Sequence, residues 1–196
     1  MMLGTVVTFQ QAQARSIAAQ GAYARSQSVT RTAVDLLSRE LRMASYDPTN
    51  LALTPSTNAA WCLGTRQGLM EATATRVRFR QDLDGSGVIN GANEDVTYAL
   101  VGTSIVRTDG NGVATTLVDN VPSEGLRFRY FNASTPPVEY APGTTGALTQ
   151  GQRDCTTKIH VTISAQIAVA NANRGRGMLS VADSEIAIRN RSLVNF

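Results

Sequence analysis

Between Met2 and Tyr46 the chain contains no proline, and only Gly4 and Gly21 weaken a helix there. Pro48 then excludes Asp47 from helical geometry and cannot donate the next helical hydrogen bond. A run of this kind predicts one long helix over residues 1–46, roughly 65 Å at 1.5 Å per residue. Its two halves differ. The proximal half is rich in Gln, Ala and Ser without a strong apolar stripe, whereas Val34, Leu37, Leu41 and Ala44 recur in steps of three and four along "RTAVDLLSRELRMASYDPTN". Asp35 precedes Arg39 by four residues, the spacing of a favourable helical ion pair. The expectation is a helix whose distal half packs on a domain and whose proximal half projects from it.

After the loop that follows Tyr46 the period changes from helical to two. Val77 and Phe79 alternate with Arg76, Arg78 and Arg80, and Val96, Tyr98 and Leu100 alternate in "DVTYAL". Further strands are expected in "TSIVRTD", "ATTLVDN", "EGLRFRYFN", "KIHVTISAQIAVA" and "SEIAIRNRSL". "TDGNGV" supplies turn chemistry between two of them, and "NANRGRG" a connection between the last two. Ala133 to Arg153 reads as a surface loop. The fold class is therefore α+β. A long N-terminal helix packs its stripe on an antiparallel sheet of about six or seven strands, with residues 47–196 forming one β domain. A chain of 196 residues can bury such a core without a metal's help.

The formal charge of +3 comes almost wholly from arginine, because Lys158 is the only lysine. The arginines are scattered over helix and strands, which favours a solvated basic surface over a nucleic-acid patch. Cys62 and Cys155 stand far apart, outside any CxxC or His-rich context, and read as one disulfide, with two unrelated buried thiols as the alternative. A disulfide implies periplasm or cell exterior. No secretory signal is visible and no apolar run reaches the roughly 20 residues that cross a bilayer. The apolar opening "MMLGTVVTF" is accordingly expected to continue a hydrophobic helix that starts further upstream.

The most chemical stretch is "DLDGSGVINGANED". Asp82, Asp84 and Ser86 occupy positions one, three and five of an EF-hand-like calcium loop, Gly87 makes the turn, and Val88 offers its carbonyl. Position twelve is Asn93, so a one-residue bulge is needed to bring Glu94 into the bidentate role. The same residues also suit a tight hairpin loop that needs positive φ and local hydrogen bonds. His160, the sole histidine, sits in a strand pattern with no second ligand nearby, and Trp61 is expected to pack beside the disulfide. No constellation of catalytic residues is present.

The segment "AVDLLSRELRMASY" resembles the sequence that follows the membrane half-helix in PilW-type minor pilins and the related J-type minor pseudopilins. The strand-loop-strand "VRFRQDLDGSGVINGANEDVTYAL" and the closing "EIAIRNR" are similar to the same group. The resemblance implies a non-catalytic subunit of the type IV pilin superfamily. Such a subunit takes part in a tip or priming complex with other minor pilins and the major pilin, and carries a large adhesin of the PilY type. It would sit in the inner membrane before assembly, through a segment upstream of this sequence, and then at the extracellular pilus tip. The group's prepilin cleavage and methylation segment does not occur in these residues. A J-type pseudopilin of type II secretion, or a free periplasmic calcium- or ligand-binding module, are the alternatives.

Overall fold

A computed structural model describes residues 2–55, 67–141, 146–167 and 178–188, with the side chains of 2–9, 12 and 178 set aside. One uninterrupted helix, α1, spans Met2–Arg42. Among the described residues eight strands follow: β1 Leu69–Ala72, β2 Arg76–Arg80, β3 Asp95–Val101, β4 Ser104–Thr108, β5 Ala114–Val118, β6 Leu126–Phe131, β7 Lys158–Ile167 and β8 Met178–Ala187. A short helix, α2 (Gln150–Asp154), precedes β7.

The helix ends about four residues earlier than Pro48 requires. Met43 and Ala44 donate three residues back, to Glu40 and Leu41, and Ser45 takes φ 67° while donating its N–H to the carbonyl of Arg80. Tertiary structure thus unwinds the end before proline is reached. Gly68 permits this approach, since a Cβ there would lie 2.2 Å from Ser45 Oγ. Asp35 and Arg39 are both exposed and do not form the expected ion pair. The guanidinium that meets a helix carboxylate belongs instead to Arg107 of β4, on Glu40.

The strands are all antiparallel, as their alternation requires, but they make two sheets rather than one layer of six or seven. The orders are β1-β2-β3-β4-β5 and β6-β7-β8. The extra strand is β1, four residues between the loop and the first expected strand, fixed by its pairing with β2 through a bulge. The segment 133–153 is likewise more than a surface loop. Leu148 is buried and donates its N–H to Ala72, and Thr149 and Gln152 form a reciprocal capping box that starts α2. The last strand begins at Met178 instead of Ser184. "NANRGRG" and Trp61 lie outside the described residues.

A single apolar core joins the helix to both sheets. Val34, Leu37, Leu41 and Ala44 are buried together with Val77, Phe79, Tyr98 and Ile105 from one sheet and Phe128, Ile159, Val161 and Ile186 from the other. On β8 the residues turned toward the helix are small: Ser180 is fully buried, and Ala182 packs against the core. Small side chains let the helix approach closely, and the hydroxyls of Thr30 and Ser180 meet at 3.0 Å across the contact. Burial of α1 begins at Thr30. Among residues 10–29 whose side chains are described, none is buried, and Ile17 is 69% exposed.

Candidate functional site

Strand β2 runs out at Arg80, and the chain then makes a thirteen-residue excursion, 82–94, before β3 starts at Asp95. Two carboxylates organise it from within. Asp82, fully buried, accepts from the N–H groups of Gly85 (2.8 Å), Ser86 (3.2 Å) and Gly87 (2.9 Å). Glu94, 3% exposed, accepts from Leu83 (2.9 Å), Asn90 (3.0 Å) and Gly91 (2.7 Å). Gly85 and Gly87 hold φ of 71° and 78°, the left-handed region that wraps consecutive amides around the Asp82 carboxylate. The Tyr46 carbonyl accepts the Asp82 N–H, and Thr49 Oγ1 lies 3.5 Å from Asp82 Oδ2, so the loop leans on the segment just beyond α1.

Asp84 is the exposed member. Hydrogen bonding from Ser86, whose N–H lies 2.9 Å from Oδ1, holds its carboxyl below the usual range. Carboxylate oxygens of Asp82, Asp84 and Glu94 all lie within 4.8 Å of one another. For the two buried ones a separation no greater than that corresponds to about 3.5 kcal/mol or more of mutual repulsion at an effective dielectric constant near 20, when both are ionised. Six backbone amides offset it here, and a divalent cation would offset it more fully. The donor set fits a hard cation, since it offers only oxygens. Of the other residues in the EF-hand-like reading, Ser86 Oγ donates to the Val88 carbonyl at 3.0 Å, so these two oxygens engage each other. Asn93, at position twelve, turns its side-chain oxygen to Arg107 (2.7 Å) and its carbonyl to Gln81. Glu94 is thus the residue that stands with Asp82 and Asp84.

Asn93 leads to a network absent from the sequence reading. Arg107 Nη2 bonds both Asn93 and Glu40 of α1 (3.0 Å), and Tyr98 donates its hydroxyl to Glu40 at 2.6 Å. Burial together with the Glu40 charge pushes the Tyr98 phenol far above its ordinary value. Burial alone would lower the Arg107 pKa, but Glu40 outweighs it and raises the guanidinium. These contacts tie the loop, the five-stranded sheet and the last turn of the helix together. The only sequence signal for them was the mixed helical face around Glu40. Asp95 completes the neighbourhood: burial would raise its pKa, yet hydrogen bonds from Arg78 (2.7 Å) and Arg80 (2.8 Å) prevail and lower it.

Cys155, which caps α2, is disulfide-bonded, and Cys62, the other cysteine of the sequence, lies outside the described residues. His160 sits on β7 with Nε2 3.6 Å from Asp183, and its Nδ1 is buried without a hydrogen-bond partner. Among the described residues no helix is long and apolar enough to cross a membrane. No protein-family model matches the chain, and no curated protein matches it either.

Proposed function

We propose that the chain is a non-catalytic subunit of a type IV pilin-like filament, a PilW-like minor pilin of a tip or priming complex that presents an adhesin. One observation supports this reading: in a helix of 41 residues the first buried side chain among those described is Thr30, and of the described side chains from Gln10 to Gln20 all are exposed except half-buried Ala19. Helices in proteins owe most of their stability to packing, so an exposed proximal stretch is best understood as one face of a multi-helix assembly. Its partners would be other minor pilins, the major pilin and a PilY-type adhesin. Its places would be the inner membrane before assembly and the pilus tip afterwards. Replacing exposed Ile17 with Glu in the full chain should leave the melting temperature unchanged and reduce co-purification with the other minor pilins. Undiminished co-purification would remove the reading. Loss of secretion with normal piliation would assign the chain to the J-type pseudopilins instead.

A second reading concerns the loop: the three convergent carboxylates at Asp82, Asp84 and Glu94 favour a structural calcium site within the same domain. Titration calorimetry with calcium alone tests it, and no heat at millimolar calcium would dismiss it.

A further inference from the structure

The four strands at sheet borders are treated very differently. β1 is covered by the Thr73 to Ala147 bridge and by the Leu148 N–H on Ala72. β6 is covered by the Phe131 to Glu139 bridge and by the Tyr140 N–H on Tyr130. β5 has only five residues and a register shift against β4. Among the described residues β8 has neither a bridge on its outer side nor a register shift. It pairs with β7 over ten consecutive residues without a bulge, it contains no proline, lysine or arginine, and among the described residues no other strand adjoins it. A long edge without proline, bulge or lysine is a ready template for another strand, and the charges it does carry, on Asp183 and Glu185, are both acidic and so select a basic partner.

The hydrogen-bond phase fixes which groups are offered. Ser164 donates to Gly125 on the β6 side, so Ile159, Val161 and Ile163 exchange bonds with Ile186, Ser184 and Ala182. Leu179, Val181, Asp183 and Glu185 therefore direct N–H and C=O away from β7. Their side chains share the face opposite the helix and are exposed by 49%, 59%, 67% and 61%. Two apolar positions are thus followed by two acidic ones. Glu185 has Lys158 at 3.0 Å, and Asp183 has His160 Nε2 at 3.6 Å. On the helix side, a cleft of ≈ 410 Å³ opens between α1 and β8, lined by Asp35, Ser38, Arg39, Arg42, Met43 and Ser184. The Ser38 hydroxyl there is buried without a hydrogen-bond partner.

We propose that the β8 edge is a docking site for an extended segment of another protein, which adds as an antiparallel strand. Two cations of that segment, at alternate positions, lie opposite Glu185 and Asp183. Apolar side chains follow opposite Val181 and Leu179, and a hydroxyl-bearing residue opposite Ser184 enters the cleft toward Ser38. A second copy of β8 is the poorer occupant, because it carries no cation to set against the acids. This proposal is independent of the filament reading.

The probe is a fluorescein-labelled peptide Lys-Thr-Lys-Thr-Val-Thr-Val, titrated with the full chain and followed by anisotropy. Saturable binding is expected. Replacing both Asp183 and Glu185 with Lys should weaken it about tenfold, as two lost cross-strand charge pairs require. Val181→Pro should abolish it while leaving the β7 ladder intact, since that N–H points outward. Circular dichroism and melting temperature check that both variants fold. No saturation at millimolar protein, equal binding of a peptide with Glu in place of Lys, or full binding by a folded Val181→Pro variant would each overturn the proposal. Dimerisation of the chain that Val181→Pro abolishes would overturn it in favour of self-pairing.

Discussion

Removing the Glu40 carboxylate tests how the rod is fixed to the sheet. Glu40 receives Arg107 at 3.0 Å and Tyr98 at 2.6 Å, with side-chain exposures of 18% for Glu40 and 13% for Arg107. Glu40→Ala leaves a guanidinium and a phenol largely buried and short of an acceptor. A fully buried orphaned charge costs about 3 to 5 kcal/mol. The residual exposure and the Asn93 acceptor that Arg107 keeps reduce this, while the unpaired phenol adds to it, so about 3 kcal/mol is expected. For a chain of this size that lowers the melting temperature by about 6 to 12 °C. The diagnostic assay is a double-mutant cycle by chemical denaturation with Glu40→Ala, Arg107→Ala and the pair. If the two groups act as one unit, the double variant falls short of the summed losses by about 1.5 kcal/mol or more. Losses that add to within about 0.5 kcal/mol would show that the pair contributes no coupling to the anchoring of the helix.

Further outcomes follow from the same geometry. Leu37→Ala removes a fully buried side chain at the centre of the helix contact and should cost about 3 kcal/mol, read by urea denaturation. Gly87→Ala places a side chain at φ 78°, 3.2 Å from Leu51 Cβ, and should cost about 1 to 2 kcal/mol by the same measurement. If the loop holds calcium, millimolar calcium raises the melting temperature, and Asp84→Asn, which spares both buried carboxylates, removes most of the rise in a thermal scan. The folded-state pKa of Asp95 is depressed, so its contribution is complete above the unfolded value of about 3.9 and is lost as pH falls through the folded value. Asp95→Asn should therefore flatten the acid limb of stability against pH below about pH 4, and an unchanged limb would assign acid unfolding to other carboxylates.

The sequence by itself determined the features that depend on neighbours along the chain. Proline-free length and the spacing of Val34, Leu37, Leu41 and Ala44 specify one helix and the stripe it buries, because 3.6-residue periodicity is a local property. Alternation in β2, β3, β6 and β7 specifies which side chains face inward for the same reason, and the Thr149 to Gln152 capping box that starts α2 was legible although it was read as loop. The tertiary structure decided the rest. Periodicity does not say which strands pair, so the division into five- and three-stranded sheets and the strand status of Leu69–Ala72 came from partners distant in sequence. The helix stops at Arg42 because Ser45 binds Arg80, and the guanidinium that meets a helix carboxylate is Arg107 rather than Arg39. Each of these is a competition between a local contact worth a few tenths of a kcal/mol and a buried long-range one worth more, and burial wins.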